Sequence, residues 1–172
     1  MTAETGANDT NREEEETGRG AKRSARDRAL GLLAVRWRSR RELERRLRAA
    51  GFDASEVADA LADLDRAGLV DDERFARELT RARAGRLDGN RSVRSALAQA
   101  GVSPELAEAS LAEAGDESDR AFELARRRAA RLGHLEPEAA RRRLYGVLVR
   151  RGYSPSLASA ACREALGRPD EE

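Results

Sequence analysis

The stretch Arg40-Arg41-Glu42-Leu43-Glu44-Arg45-Arg46-Leu47-Arg48-Ala49-Ala50-Gly51-Phe52 carries the pattern that decides the fold. Leu43 and Leu47 stand four residues apart, so they share one face of a helix whose other faces are charged. Gly51 suits the residue just past a helix, where φ is usually positive, and Phe52 is placed to fold back on the turn just ended. Val93, Leu97, Gly101 and Val102 repeat the pattern, and Leu144, Leu148, Gly152 and Tyr153 repeat it again. The three glycines are 50 and 51 residues apart. Apolar positions continue in register after each: Val57, Leu61 and Leu64; Ala107, Leu111 and Ala114; Ala158, Cys162 and Ala165. A period of this length describes stacked helical modules, each burying its apolar face with its neighbour's help.

Each module reads as three helices; in the first they cover residues 28–38, 40–50 and 54–67. Capping-box patterns, Ser39 with Glu42 and Asp53 with Glu56, mark helix starts. Ser103-Pro104 and Ser154-Pro155 place a cap residue before a proline whose missing N–H costs nothing there. Gly68, Gly115 and Gly167 close the third helices. Leu30, Phe75 and Phe122 open the first helices at comparable places, as core side chains. No alternating β-branched run occurs, so no sheet is expected. The expected fold is all-α: an elongated array of three tandem three-helix repeats behind a disordered N-terminal tail. The expected boundaries are a tail over 1–25, modules over 26–71, 72–116 and 117–168, and a short acidic tail over 169–172. The first tail carries the run Glu13–Glu16, for which a regulatory arm is the alternative to plain disorder.

Composition excludes several classes of function. One Cys and one His in 172 residues make neither an intrachain disulfide nor a conventional Cys/His zinc site. Six aromatic residues leave few rings for a sheet-based reader of single strands. No long apolar run is present, and residues 1–20 are polar and acidic, unlike a signal peptide. The expectation is a reduced, cytoplasmic protein with no membrane partner. The unequal charges of the modules favour a monomer.

No catalytic constellation is present: phosphate-binding glycine loops, a nucleophile elbow and a dinucleotide fingerprint are all missing. His134 stands in a turn without a nucleophile. Cys162 holds the repeat position of Leu61 and Leu111, which makes it a small core hydrophobe. Asp71, Asp72 and Glu73 read as a helix start rather than a cation site. The chain is expected to be no enzyme, with no metal and no cofactor.

The net charge of +1 hides structure. Residues 117–168 carry +6, while residues 1–25 carry −2 and residues 169–172 carry −3. Of 33 basic residues only Lys22 is a lysine. The second helices are basic, and the third helices of the first two modules are acidic. The candidate binding set is Arg38, Arg41, Arg45, Arg48, Arg91, Arg94, Arg141, Arg142, Arg143, Arg150 and Arg151, since guanidinium forks recognise phosphate and carboxylate in two-bond fashion. Trp37, set among arginines, has two readings, core packing or a partner contact. Acidic third helices argue against a helix-turn-helix reader, whose last helix faces DNA phosphates.

Gly68-Leu69-Val70-Asp71-Asp72-Glu73-Arg74-Phe75-Ala76-Arg77, preceded by Ala29, Leu30, Leu32, Leu33 and by Arg38-Ser39 with Glu42, Leu43, Leu47 and Gly51, resembles the RecX family of bacterial recombination regulators. The resemblance spans about residues 26–167, most specifically in the first half. It departs in the tail before Asp27 and in the spacing from Gly85 to Gly89. The resemblance implies a non-catalytic protein that binds RecA in the groove of its filament on single-stranded DNA. It implies inhibition of ATP hydrolysis, coprotease activity and strand exchange, and so a part in DNA repair, recombination and the SOS response. The alternative is a general DNA-binding helical-repeat protein acting without RecA.

Overall fold

The computed structural model describes residues 24–167, which form nine α-helices and no strand among them. They are α1 (Ala25–Val35), α2 (Arg40–Ala49), α3 (Ala54–Arg66), α4 (Asp72–Ala84), α5 (Asn90–Ala100), α6 (Pro104–Ala112), α7 (Glu117–Ala129), α8 (Pro137–Arg150) and α9 (Pro155–Leu166). The expected tail over 1–25 lies outside the described residues except for Ser24 and Ala25, and the acidic residues 169–172 lie wholly outside them.

The helix starts obey the cap chemistry. Asp53 accepts from the Glu56 amide while Glu56 accepts from the Asp53 amide, a complete reciprocal box. Ser103 and Ser154 accept from the amides three residues on, each ahead of a proline in the first turn. Two expectations are corrected. The first helix runs from Ala25 to Val35, not over residues 28–38, because Ser24 and Asp27 form a box of their own and Arg36 is extended. Ser39 does cap the Glu42 amide at 3.1 Å, but the Glu42 carboxylate turns away from the box toward arginines.

Three apolar clusters form the interior. The first joins α1, α2 and α3 through Ala29, Leu43, Leu47, Val57, Leu61 and Leu64. The second joins α4, α5 and α6 through Phe75, Ala76, Val93, Leu97, Ala107 and Leu111. The third joins α7, α8 and α9 through Leu124, Ala125, Leu144, Leu148, Ala158 and Cys162. Cys162 is thus a buried core side chain, and burial pushes its thiol pKa up. Replacing any of the fully buried leucines by Ala would cost about 2–5 kcal/mol.

The joints between consecutive modules are built alike, one repeat apart. Trp37 packs on the second cluster, and Leu87, 50 residues later, packs on the third. Ser39 donates through Oγ to the Ala100 carbonyl at 2.5 Å, and Gly89 donates through its amide to the Arg151 carbonyl at 2.8 Å. The first free amide of α2, on Arg40, is capped by Asp72 at 2.8 Å, and that of α5, on Asn90, by Glu117 at 2.7 Å. In each joint the start of one second helix therefore meets the end of the next. The approach is close enough to need glycine. At Gly101 a Cβ would strike the Arg41 side chain, and at Gly152, with φ +93, it would lie 2.5 Å from the Ser92 amide.

Candidate interaction groove

Because the joints set the second helices end to start, their outer faces share one side of the array. A depression of about 350 Å³ lies between the first two modules, lined by Arg36, Glu42, Arg45, Arg46, Phe75, Leu79, Arg83, Ala96, Gln99 and Ala100. A second, of about 340 Å³, lies between the next two, lined by Arg83, Arg91, Ser92, Ser95, Ala96, Gln99, Val149, Arg150 and Gly152. Arg83, Ala96 and Gln99 line both, so the two are one groove crossing α2, α5 and α8. On α8 the stripe continues from Val149 to Tyr145 and Arg142, three or four residues apart, into a third depression of about 400 Å³. Its lining is Arg141, Arg142, Tyr145, Ser159, Cys162 and Arg163.

The groove is electrostatically one-sided. Glu42 is the sole acid that lines it, only 8% exposed, and its Oε1 accepts from Arg36 at 2.5 Å, Arg38 at 2.5 Å and Arg46 at 3.2 Å. Burial pushes its pKa up, but these guanidiniums outweigh burial and hold it below the usual carboxylate range. Arg45, Arg91, Arg142, Arg150 and Arg163 have no carboxylate within 4.0 Å among the described residues. Such an arrangement attracts an extended anion, a phosphate backbone or an acidic protein surface.

The candidate arginines separate into three sets. Arg45, Arg91, Arg141, Arg142 and Arg150 line the groove. Arg38, 6% exposed, is held inside by Glu42 and by the Leu32 carbonyl, and does not reach a surface. Arg151 is tied to Asp88 at 2.9 Å and to the Arg86 carbonyl at 2.7 Å in a joint, and Arg41 packs on Gly101 in the other. Arg94 is clamped by both carboxylate oxygens of Glu108, at 2.6 and 2.9 Å, and Arg48 lies 3.4 Å from Glu44. Arg143 is exposed and apart from the groove lining. Trp37 is half-buried, with the Arg74 guanidinium 4.1 Å from its ring centre.

Arg36, Arg46, Arg83 and Arg163 were not in the candidate set. Arg46 is legible as the partner four residues after Glu42, but Arg83 belongs to α4, and its place emerges only when α4 packs beside α5. Among the described residues no cluster of His, Cys, Asp and Glu is fit to hold a metal ion, and no helix is long and apolar enough to cross a membrane.

Comparison with known proteins agrees with this architecture. Models described as the first, second and third three-helix domains of RecX match residues 25–64, 71–111 and 116–162. The regulatory protein RecX of Amycolatopsis mediterranei is 38% identical over 147 residues, covering 84% of each chain. That of Mycobacterium sp. strain KMS is 43% identical over 139 residues, covering 75% of this chain and 74% of the relative. The crystal structure of RecX from Lactobacillus salivarius superposes with a TM-score of 0.70 at 21% identity, over 82% of this chain and 94% of that one, which speaks for the fold. With modules, joints and sequence relatives in agreement, the chain belongs to the RecX family of regulatory proteins.

Proposed function

We propose that this chain is a non-catalytic, monomeric cytoplasmic regulator that binds RecA and RecA filaments on single-stranded DNA, mostly inhibiting their recombinase, ATPase and coprotease activities. The observation that carries the reading is the groove: arginines from all three modules on one side, with its single acid neutralised from within. A surface of this kind suits a long polyanionic track rather than a small substrate. Arg45, Arg91 and Arg150 meet the acidic surface of RecA or the phosphates lying in its filament. An array that bridges neighbouring protomers opposes the conformational cycling that ATP hydrolysis needs, since binding lowers the free energy of one conformation relative to the others.

DNA-dependent ATP hydrolysis by purified RecA tests the reading. Added at substoichiometric amounts, the chain slows hydrolysis; no effect at a molar excess overturns the proposal. Titration of bare single-stranded oligonucleotide at several salt concentrations separates the alternative. Tight, steeply salt-dependent binding to DNA without any effect on RecA marks a general DNA-binding protein.

A further inference from the structure

The third depression differs from the rest of the groove. Arg141, Arg142 and Arg163 ring a floor made by Tyr145 and Cys162, with the Ser159 hydroxyl on one wall. Tyr145 is 36% exposed although it is a large ring. Three guanidiniums meet there with little to balance them. Arg141 Nε lies 3.8 Å from Glu138, too far for a hydrogen bond, and is buried with no hydrogen-bond partner among the described residues. Arg142 and Arg163 have no carboxylate within 4.0 Å among those residues.

The chain leaves its last helix at this depression. Gly167 follows α9, and its carbonyl accepts from Arg141 Nη2 at 3.4 Å. The residues that follow are Arg168, Pro169, Asp170, Glu171 and Glu172. At about 3.5 Å per extended residue, Asp170 reaches roughly 10 Å from Gly167 and Glu172 roughly 17 Å. Three carboxylates are thus tethered within reach of three under-compensated guanidiniums. A short tether gives them an effective concentration on the order of millimolar.

We infer that the acidic segment Asp170–Glu172 docks on the Arg141, Arg142 and Arg163 depression as an intramolecular pseudo-ligand that shields this end of the groove. An incoming polyanion must displace it, so the segment weakens non-specific attachment and yields to a ligand that engages all three modules at once. The shielding rests on the function proposed for the groove; the docking does not.

Two measurements on the full chain decide the matter. The first compares nitrogen-15 NMR spectra of the native chain and the triple variant D170N/E171Q/E172Q. Docking moves the signals of Arg142, Tyr145, Ser159, Cys162 and Arg163, and high salt brings the two spectra together. Shifts confined to residues beyond Leu166 overturn the docking. The second follows a fluorescein-labelled single-stranded oligonucleotide by anisotropy at low salt. The triple variant binds several-fold more tightly, and adding R142Q and R163Q to it removes the gain. Equal affinity of native and triple variant overturns the shielding. If neither form binds the oligonucleotide, the DNA reading of the groove fails and the shielding with it, while the spectra still decide the docking.

Discussion

Gly89→Ala tests the idea that backbone contact holds the second and third modules together. Gly89 has φ −78, a conformation alanine adopts freely, so the substitution carries no intrinsic backbone penalty. Its Cβ, however, would lie 2.5 Å from the Gly152 carbonyl carbon, 2.6 Å from its oxygen and 2.6 Å from the Tyr153 nitrogen. Nonbonded carbons rest about 3.5–4.0 Å apart, so the two segments must part by roughly 1 Å. All three opposing atoms are main chain, and no side chain can swing aside to make room. The movement lengthens the 2.8 Å bond from Gly89 to Arg151 and pulls on the 2.9 Å bond from the Tyr153 hydroxyl to the Leu87 carbonyl. It also disturbs the Arg151 contacts to Arg86 and Asp88. Overpacking costs about 1–3 kcal/mol and each lost neutral hydrogen bond about 0.5–1.5 kcal/mol, so a loss of about 2–4 kcal/mol is expected. For a chain of this length that lowers Tm by roughly 5–12 °C. Thermal unfolding followed by circular dichroism measures it, with Gly133→Ala as the control, since nothing lies within 4 Å of a Cβ there. Equal melting of the two variants would refute the steric account of the joint.

Three further outcomes follow from the same geometry. Glu42→Gln leaves Arg38 buried without its carboxylate and should cost about 3–5 kcal/mol in urea unfolding. Because the folded pKa of Glu42 is depressed, its stabilisation is full above the ordinary glutamate pKa and fades as pH falls through the lower folded value; the variant should lack that acid-limb loss. Replacing Arg45 and Arg150 by Ala should reduce the salt slope of single-strand binding by about 0.7 for each phosphate contact removed, whereas Arg94→Ala, whose guanidinium belongs to Glu108, should leave the slope unchanged. An equal effect of all three would disprove the sorting of the arginines. Tyr153→Phe removes the bond to Leu87 and should cost about 1 kcal/mol with no change in binding. Burial pushes the Tyr153 phenol up to about 12, so it remains a donor across the neutral range and this loss should be independent of pH there.

The modules were legible because their signals are local. Leu43, Leu47 and Gly51, and their counterparts, state helix, buried face and stop within nine residues. The first helix was misplaced for an equally local reason: Ser24 and Asp27 supply a cap inside a segment whose composition reads as tail. The candidate arginines were less legible, because a helical face does not say what the neighbouring module presents to it. Arg41 and Arg45 are one helical turn apart, yet Arg41 meets Gly101 in a joint while Arg45 lines the groove. The charge split between second and third helices was also partly local pairing, since Arg40 pairs with Asp65 and Arg94 with Glu108 inside their modules.

These pairings explain how a nearly neutral chain presents a basic side. Arginines whose partners are nearby in the fold, such as Arg38, Arg94 and Arg151, spend their charge on caps, joints and ion pairs. Those left over fall where the repeat brings second helices together, because the joint fixes each start against the next end and carries the groove from α2 to α5 to α8. Binding and assembly are therefore coupled by geometry: a substitution that opens the joint at Gly89 misaligns Arg150 with Arg91 and Arg83 without touching any of the three. A polyanion spanning the groove would sense the break as a loss of cooperation between modules, while a short one, confined to a single depression, would not. The ratio of affinities for long and short single-stranded oligonucleotides, measured in Gly89→Ala at a temperature where each module stays folded, should fall toward one; an unchanged ratio would mean that the modules bind independently and that their alignment has no part in recognition.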